Sequence, residues 1–446
     1  MPRNKIQLSD HFTYGRLFRF ILPTVLMMCV SSLYSIVDAY FVSNYAGKEA
    51  FAAVNLIIPL PSLVSALGLM LGAGGCAVVS RTLGEGDQER AQRYFSLFSY
   101  VGLALGAITC VVGVCFIRQM AYALGARGET LEMCVLYGTI LFLGQPFHQM
   151  QIVVSNFYVT AEKPAMGLKV TLASGLVNVV LDYLFIAVLH WGVTGAALAT
   201  IIGQSLGCMV SLIYFGRKNS SLLRLVRTRV EWDVLFRTCI NGSSELLLNI
   251  SASLVNIAYN FQLIRLVGDD GIAAYGAVMY ANYYFSALIF GYSVASAPVV
   301  GFHYGAKNHV ELKSLFRKSL VITSSMGVIL TAISVLFAGP AVALFSGYDD
   351  ALFDMATAGF RLYAPAFLIM GVNVWASGFF TALGNGGISA LISCMRTIIF
   401  QMGAVLVLPA IMGMDGIWIA AAVAEALTLI CVSWLLHSHK DHYHYA

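Results

Sequence analysis

Asn178 and Asp182 stand four residues apart inside an apolar run from about Ala165 to Leu189. On a helix they share one face. An acid within hydrocarbon costs a few kcal/mol, so Asp182 either bonds to a neighbouring helix or does chemistry. A second acid, Asp38, lies in another apolar run. Two carboxylates in one poorly solvated pocket cannot both ionise cheaply; such a pair holds a proton or attracts a cation. The sites can act together only if separate helices bring them to one depth.

The composition provides such helices. The chain is 59% hydrophobic and 11% charged over 446 residues, with a mean hydropathy of +0.79. Soluble domains carry about 25% charged residues. An all-α polytopic membrane protein is the expectation, with glycines and prolines spread through apolar runs as membrane helices tolerate. The nine cysteines form no C-x-x-C pair and read as small core residues. No small-residue cleavage site follows the first apolar run, which reads as a retained span and not a signal peptide.

Twelve spans are predicted, at about 17–43, 51–79, 94–117, 131–158, 165–189, 193–215, 236–264, 274–301, 317–338, 355–382, 388–412 and 416–436, each long enough to cross about 30 Å. One set of alternate loops, with both termini, holds 21 of the 26 Lys and Arg residues when Arg396 is counted with its nearest loop. By the positive-inside rule both termini are cytoplasmic, in a multi-pass protein of the prokaryotic inner (plasma) membrane.

The chain also repeats. Val78-Val79-Ser80-Arg81-Thr82-Leu83-Gly84 resembles Val299-Val300-Gly301-Phe302-His303-Tyr304-Gly305, an offset of 221. Leu136-Tyr137 corresponds to Leu362-Tyr363, and Phe157-Tyr158 to Phe379-Phe380. An offset of six spans keeps both halves in one orientation. It implies two parallel six-helix lobes related by a pseudo-two-fold along the membrane normal, the architecture of an alternating-access transporter. The expected division is residues 1–220, a cytoplasmic linker at 221–235, and residues 236–446.

With that orientation, Asp38, Tyr137, Asp182 and Thr200 fall roughly 8–10 Å below the outer surface at 1.5 Å per residue. Four helices of the first half thus bring two carboxylates, an amide, a phenol and a hydroxyl to one level. The second half lacks the acids.

In these features the sequence resembles the multidrug and toxic compound extrusion (MATE) family, specifically its prokaryotic DinF-like branch. The resemblance covers essentially the whole chain. It implies an N-lobe ion-coupling site at Asp38, Tyr137, Asn178, Asp182, Ala196 and Thr200, and a helix-bending role for Pro23. Span 7 has Glu245, but span 10 has no interior acid, which departs from the family's other main branch. The implied function is a cation-coupled multidrug antiporter exporting small amphipathic, often cationic, compounds as a monomer in the lipid bilayer. H+ or Na+ would be the coupling ion. No cofactor, no nucleic acid and no metal is implied beyond Na+ at Asp38, Asn178, Asp182 and Thr200.

Other residues have blander readings. Glu245 and Arg396 share a depth and are expected to form a structural ion pair, with a substrate-cavity role as the alternative. Glu425 either faces the cavity or bonds to a neighbouring helix. Tyr280, Tyr283, Tyr284, Tyr292 and Asn282 on span 8 read as packing or interface anchors, or as a cage for flat cations. His437, His439, His442 and His444 read as a solvated tail, with metal binding the other option. The glycine pairs Gly68/Gly72, Gly102/Gly106 and Gly203/Gly207 read as helix-packing positions. A lipid-linked precursor flippase is the alternative function; its pyrophosphate substrate calls for several cavity arginines, and only Arg396 lies well inside a span. An enzyme is not expected: H-E-x-x-H does not occur, and the one G-x-S-x-G, Gly203 to Gly207, falls inside a predicted membrane span and not at a strand-to-helix turn.

Overall fold

The computed structural model describes residues 6–346 and 350–446. Among these the chain is helical, with no strand. Spans 1 to 6 are Tyr14–Ala46, Glu49–Gly84, Gln88–Ala123, the pair Gly128–Leu143 and Gln145–Thr160, Pro164–Val188 and Gly192–Gly216. Spans 7 to 12 are Trp232–Leu266, Ala274–Gly305, His309–Leu336, Pro365–Ala382, Gly386–Met412 and Met414–Tyr443. Eleven of these are single helices long and apolar enough to cross a bilayer; span 4 completes twelve, being a pair bent by 53° at Gly144, with Pro146 in the first turn of the second limb. A proline in the first turn suits this break, because its missing N–H is one that the new helix would leave unpaired anyway. A short helix, Asp350–Tyr363, leads into span 10.

The internal repeat is present in turns, caps and core. Asp87 accepts from the Arg90 N–H at 2.9 Å to start span 3, and Asn308 accepts from the Glu311 N–H at 3.1 Å to start span 9. Each cap follows a left-handed residue, Gly86 (φ 87°) and Lys307 (φ 55°). Glu162 (φ 57°) and Gly384 (φ 81°) place the same left-handed residue before spans 5 and 11, and Asn385 caps the second of these by accepting from the Ile388 N–H at 3.1 Å. In the core, Phe95 meets Phe157 edge-on at 5.0 Å, and the counterparts Phe316 and Phe379 lie 5.5 Å apart.

Packing follows the same scheme. Span 1 packs on span 5, span 2 on span 4, span 3 on span 4, and span 6 on spans 4 and 5. In the second half the partners are 7 with 11, 8 with 10, 9 with 10, and 12 with 10 and 11. The seam joins span 1 to span 8, span 2 to span 7, and span 2 to span 8. Exchanging the two halves leaves that set of contacts unchanged, as a two-fold requires. Glycine makes the seam close: a Cβ on Gly74 would lie 2.2 Å from the Thr238 carbonyl oxygen, and one on Gly242 would lie 1.9 Å from that of Met70.

With an even number of spans, both ends of the chain lie on one face. There the segment before span 1 ties the halves together. Leu8 and Phe12 are fully buried. The Leu8 N–H donates to Glu162 Oε1 at 2.7 Å in the first half, and the Phe12 N–H to Glu311 Oε1 at 2.9 Å in the second. His11 Nδ1 lies 2.5 Å from Glu311 Oε2, and Lys318 Nζ donates to the Phe12 carbonyl. The opposite terminus departs from the solvated tail expected of it. Span 12 stays helical to Tyr443, and Tyr445 is buried on Phe316 and Phe379 at 4.8 and 5.0 Å. His437, His442 and His444 remain exposed, while His439 packs edge-on against Phe380 at 5.9 Å. Alternating aromatic and polar residues let the tail bury one side. No cluster of three or more metal-ligating side chains occurs among the described residues.

Candidate functional site

Spans 1, 4, 5 and 6 bring the predicted cluster together around a cavity of about 390 Å³, lined among others by Asp38, Tyr137, Asn178 and Thr200. Span 5 reaches it because span 6 is allowed close: a Cβ on Gly203 would sit 3.0 Å from the Ser174 carbonyl and 3.1 Å from Asn178 Cβ. Each acid is followed by a π-helical turn, Val42–Ala46 after Asp38 and Tyr183–Val188 after Asp182.

Asp182 is fully buried, Asn178 is 5% exposed and Tyr137 2%. The carboxyl groups of Asp38 and Asp182 lie within hydrogen-bonding reach of each other. As carboxylates neither has a hydrogen to donate. Accordingly Asp38 Oδ1, both carboxylate oxygens of Asp182, and Asn178 Oδ1 are buried without a donor. Buried acceptors are ordinarily satisfied, so this concentration of them fits a proton or a hard cation, which prefers oxygen ligands. Tyr137 is close enough to feel both charges. Thr200 donates its hydroxyl to the Ala196 carbonyl at 3.0 Å. That bond leaves the Thr200 oxygen lone pairs for another partner and gives the buried Ala196 its place in the site.

Pro23 lies inside span 1, where it removes the N–H that would bond to the Arg19 carbonyl. Span 8 presses on the next turn: a Cβ on Gly291 would lie 2.8 Å from Val25 Cα.

The ion pair expected between Glu245 and Arg396 is not the one that forms. Arg396 Nε donates to Glu425 Oε1 at 2.7 Å, and Asn373 Nδ2 donates to Glu425 Oε2 at 2.7 Å. Counting residues from span ends placed Glu425 nearer the opposite face. Span 12 is several residues longer than hydropathy suggests, adjacent spans 11 and 12 run antiparallel, and the long Arg396 side chain closes the remaining gap. Glu245 faces Arg396 across a cavity of about 20 Å³ that Asn373, Ser377 and Ser393 also line.

One feature escaped sequence reasoning, and another bears on an alternative the sequence left open. His148 and Gln145, on the second limb of span 4, line the first-half cavity; they are visible in sequence only as polar residues in an apolar run. Tyr283 of span 8 also lines it, alone among the described lining residues from the second half. It borders a second cleft of about 430 Å³ as well, with Asn256, Asn260, Tyr275 and Tyr280. Tyr292 instead donates to Ser319 at 2.9 Å and is a packing residue, while Asn282 contacts Met279 and Ser286 on its own helix.

The family model described as MatE matches residues 23–184 and 246–406, segments whose starts are 223 apart. "Multidrug export protein MepA" of Staphylococcus haemolyticus is 26% identical over 434 residues, covering 96% of this chain and 94% of that protein. MepA of Staphylococcus aureus is 24% identical over 430 residues, with the same coverage of 96% and 94%. Among solved structures, a MATE in complex with MaL6 is similar with a TM-score of 0.94 at 22% identity, covering 100% of both chains. The outward-facing conformation of a multidrug resistance MATE family transporter of the MOP superfamily gives 0.93 at 22% identity, covering 100% of this chain and 99% of that one. At such identities the likeness is one of fold.

Proposed function

This chain belongs to the MatE family, and on that premise we propose that it is a multidrug efflux transporter: a monomeric antiporter of the prokaryotic inner membrane driven by H+ or Na+. The curated relatives are multidrug export proteins. The single observation that carries ion coupling is the group of buried, donorless oxygens on Asp38, Asn178 and Asp182. An ion or proton bound there relieves the repulsion between the acids. Its release restores the repulsion, so the site weighs differently in the two access states, which is what coupling requires.

The lobes 1–220 and 236–446, linked through 221–235, move as the two units of alternating access. With 20 of 26 basic residues in or beside the loops on the side of the termini, that face is cytoplasmic and the acids lie nearer the outside. Each net charge entering down 100 mV supplies about 2.3 kcal/mol, enough to move an uncharged substrate against a gradient of about fortyfold; exchange for a monovalent cation draws on the ion's concentration gradient instead. Span 1, weakened at Pro23, is the helix that responds.

The test is export of a fluorescent amphipathic cation from membrane vesicles under a pH gradient alone and a sodium gradient alone. Transport under neither, with protein present in the membrane, would overturn the reading.

A further inference from the structure

His148 has a fixed hydrogen-bonding polarity inside the first-half cavity. It sits on span 4 one turn after the 53° break, on the second limb that begins at Gln145. Its Nδ1 faces Ser65 Oγ at 3.4 Å. Ser65 has one hydroxyl hydrogen, and it goes to the Pro61 carbonyl at 2.8 Å. The tautomer that satisfies both contacts has Nδ1 donating to Ser65 in the neutral ring, which leaves the lone pair on Nε2. Among the described residues nothing donates to Nε2. The same cavity carries Asp38 and Asn178 on its wall, and no Lys or Arg lines it.

We propose that His148 is a specificity-determining residue, whose Nε2 accepts a hydrogen bond from the N–H of a protonated amine bound in this cavity. The proposal rests on the efflux reading and names the substrate class the cavity favours. Asp38 on the cavity wall attracts any cation. His148 adds a preference for cations that carry a hydrogen on nitrogen, because a quaternary ammonium has none to give. A site with a lone acceptor discriminates against a ligand lacking the donor, since the acceptor is then left unpaired.

The experiment compares a fluorescent tertiary amine with its N-methyl quaternary analogue, in vesicles bearing wild type, His148→Phe or His148→Gln at matched expression and matched elution on size exclusion. The wild type should export the protonated tertiary amine roughly tenfold more efficiently, the effect of about 1.4 kcal/mol. His148→Phe should abolish the preference by slowing the tertiary amine about tenfold more than the quaternary one. His148→Gln, which restores an acceptor oxygen, should recover part of it. An unchanged preference in His148→Phe overturns the assignment. So does equal loss of both amines in a folded His148→Phe protein, which makes the ring structural. If the wild type exports neither amine under any gradient, the efflux reading fails first and this proposal with it.

Discussion

Gly84 and Gly305 occupy equivalent places in the two halves, and each presses on the other half's backbone. A Cβ on Gly84 would lie 2.0 Å from the Phe302 carbonyl oxygen, and one on Gly305 would lie 2.1 Å from that of Arg81. Backbone cannot yield as a flexible side chain does, so spans 2 and 8 must separate at this end if either glycine gains a methyl. Gly84→Ala or Gly305→Ala should destabilise the state closed on the terminal face by about 1–3 kcal/mol. Labelling of Ser80→Cys, with the native cysteines replaced, measures this. The buried Ser80 packs at Gly301 on the same seam, and its labelling should quicken about tenfold or more in either alanine variant. Unchanged labelling would mean the seam does not open there.

Replacing either acid by its amide should uncouple the protein. In Asp182→Asn the new amide supplies hydrogens that Asp38 lacks, satisfying the donorless oxygens permanently. Gradient-driven export should fall to background for Asp38→Asn and Asp182→Asn. Thermal stability at neutral pH should be equal or higher, because a repulsion is removed. Wild-type rates in both variants at matched expression would remove these acids from the coupling mechanism.

The charge pair of the second half makes a different prediction. Arg396→Met leaves the Glu425 carboxylate buried without its cation and should cost about 3–5 kcal/mol. The double change with Glu425→Met should cost less than the sum of the singles, as measured by unfolding in detergent. The same cycle between Glu245 and Arg396 should show a smaller coupling. The reverse ranking would restore the pairing that sequence position suggested.

Glu162 ties stability to pH outside the membrane. Burial holds its carboxyl above the usual range, opposed by the Leu8 N–H it accepts. The folded chain therefore binds this proton more tightly than the unfolded chain. The resulting stabilisation is complete below the unfolded carboxyl value and is lost as pH rises through the folded one. Glu162→Gln keeps an acceptor for Leu8 and removes the titration. Between pH 4 and pH 8 the Tm of the wild type should decline relative to this variant; parallel curves would contradict the assignment.

Much of this was legible in the sequence because a bilayer leaves few options. The spans, their parity and the repeat follow from hydropathy and from matches such as Gly84 with Gly305. The acids of the first half were conspicuous because ionisable residues in hydrocarbon are costly. The partner of Arg396 was not legible. Depth along a helix can be counted, but rotation about its axis and the reach of a long side chain decide contact. His148 was missed for a related reason: its role depends on which hydrogen Ser65 spends on Pro61, and no spacing rule encodes that. The buried Tyr445 shows the limit of composition, since a polar, histidine-rich tail can still lay one aromatic edge on the protein.

The π-helical turns bear on motion. Besides those after Asp38 and Asp182, a third spans Met395–Gln401 and contains Arg396. Each such turn houses one residue more than an α-helical turn. It is a unit of slack that a helix can pass along itself, breaking and remaking only a few backbone bonds at a time. Side chains over which it passes rotate by about 100° around the axis, one residue's share of a 3.6-residue turn. Passing such slack along span 1, 5 or 11 would re-aim a charge by turning its side chain about the helix axis. In this protein the residues with most to gain from being turned toward or away from a partner are the ones placed beside such slack.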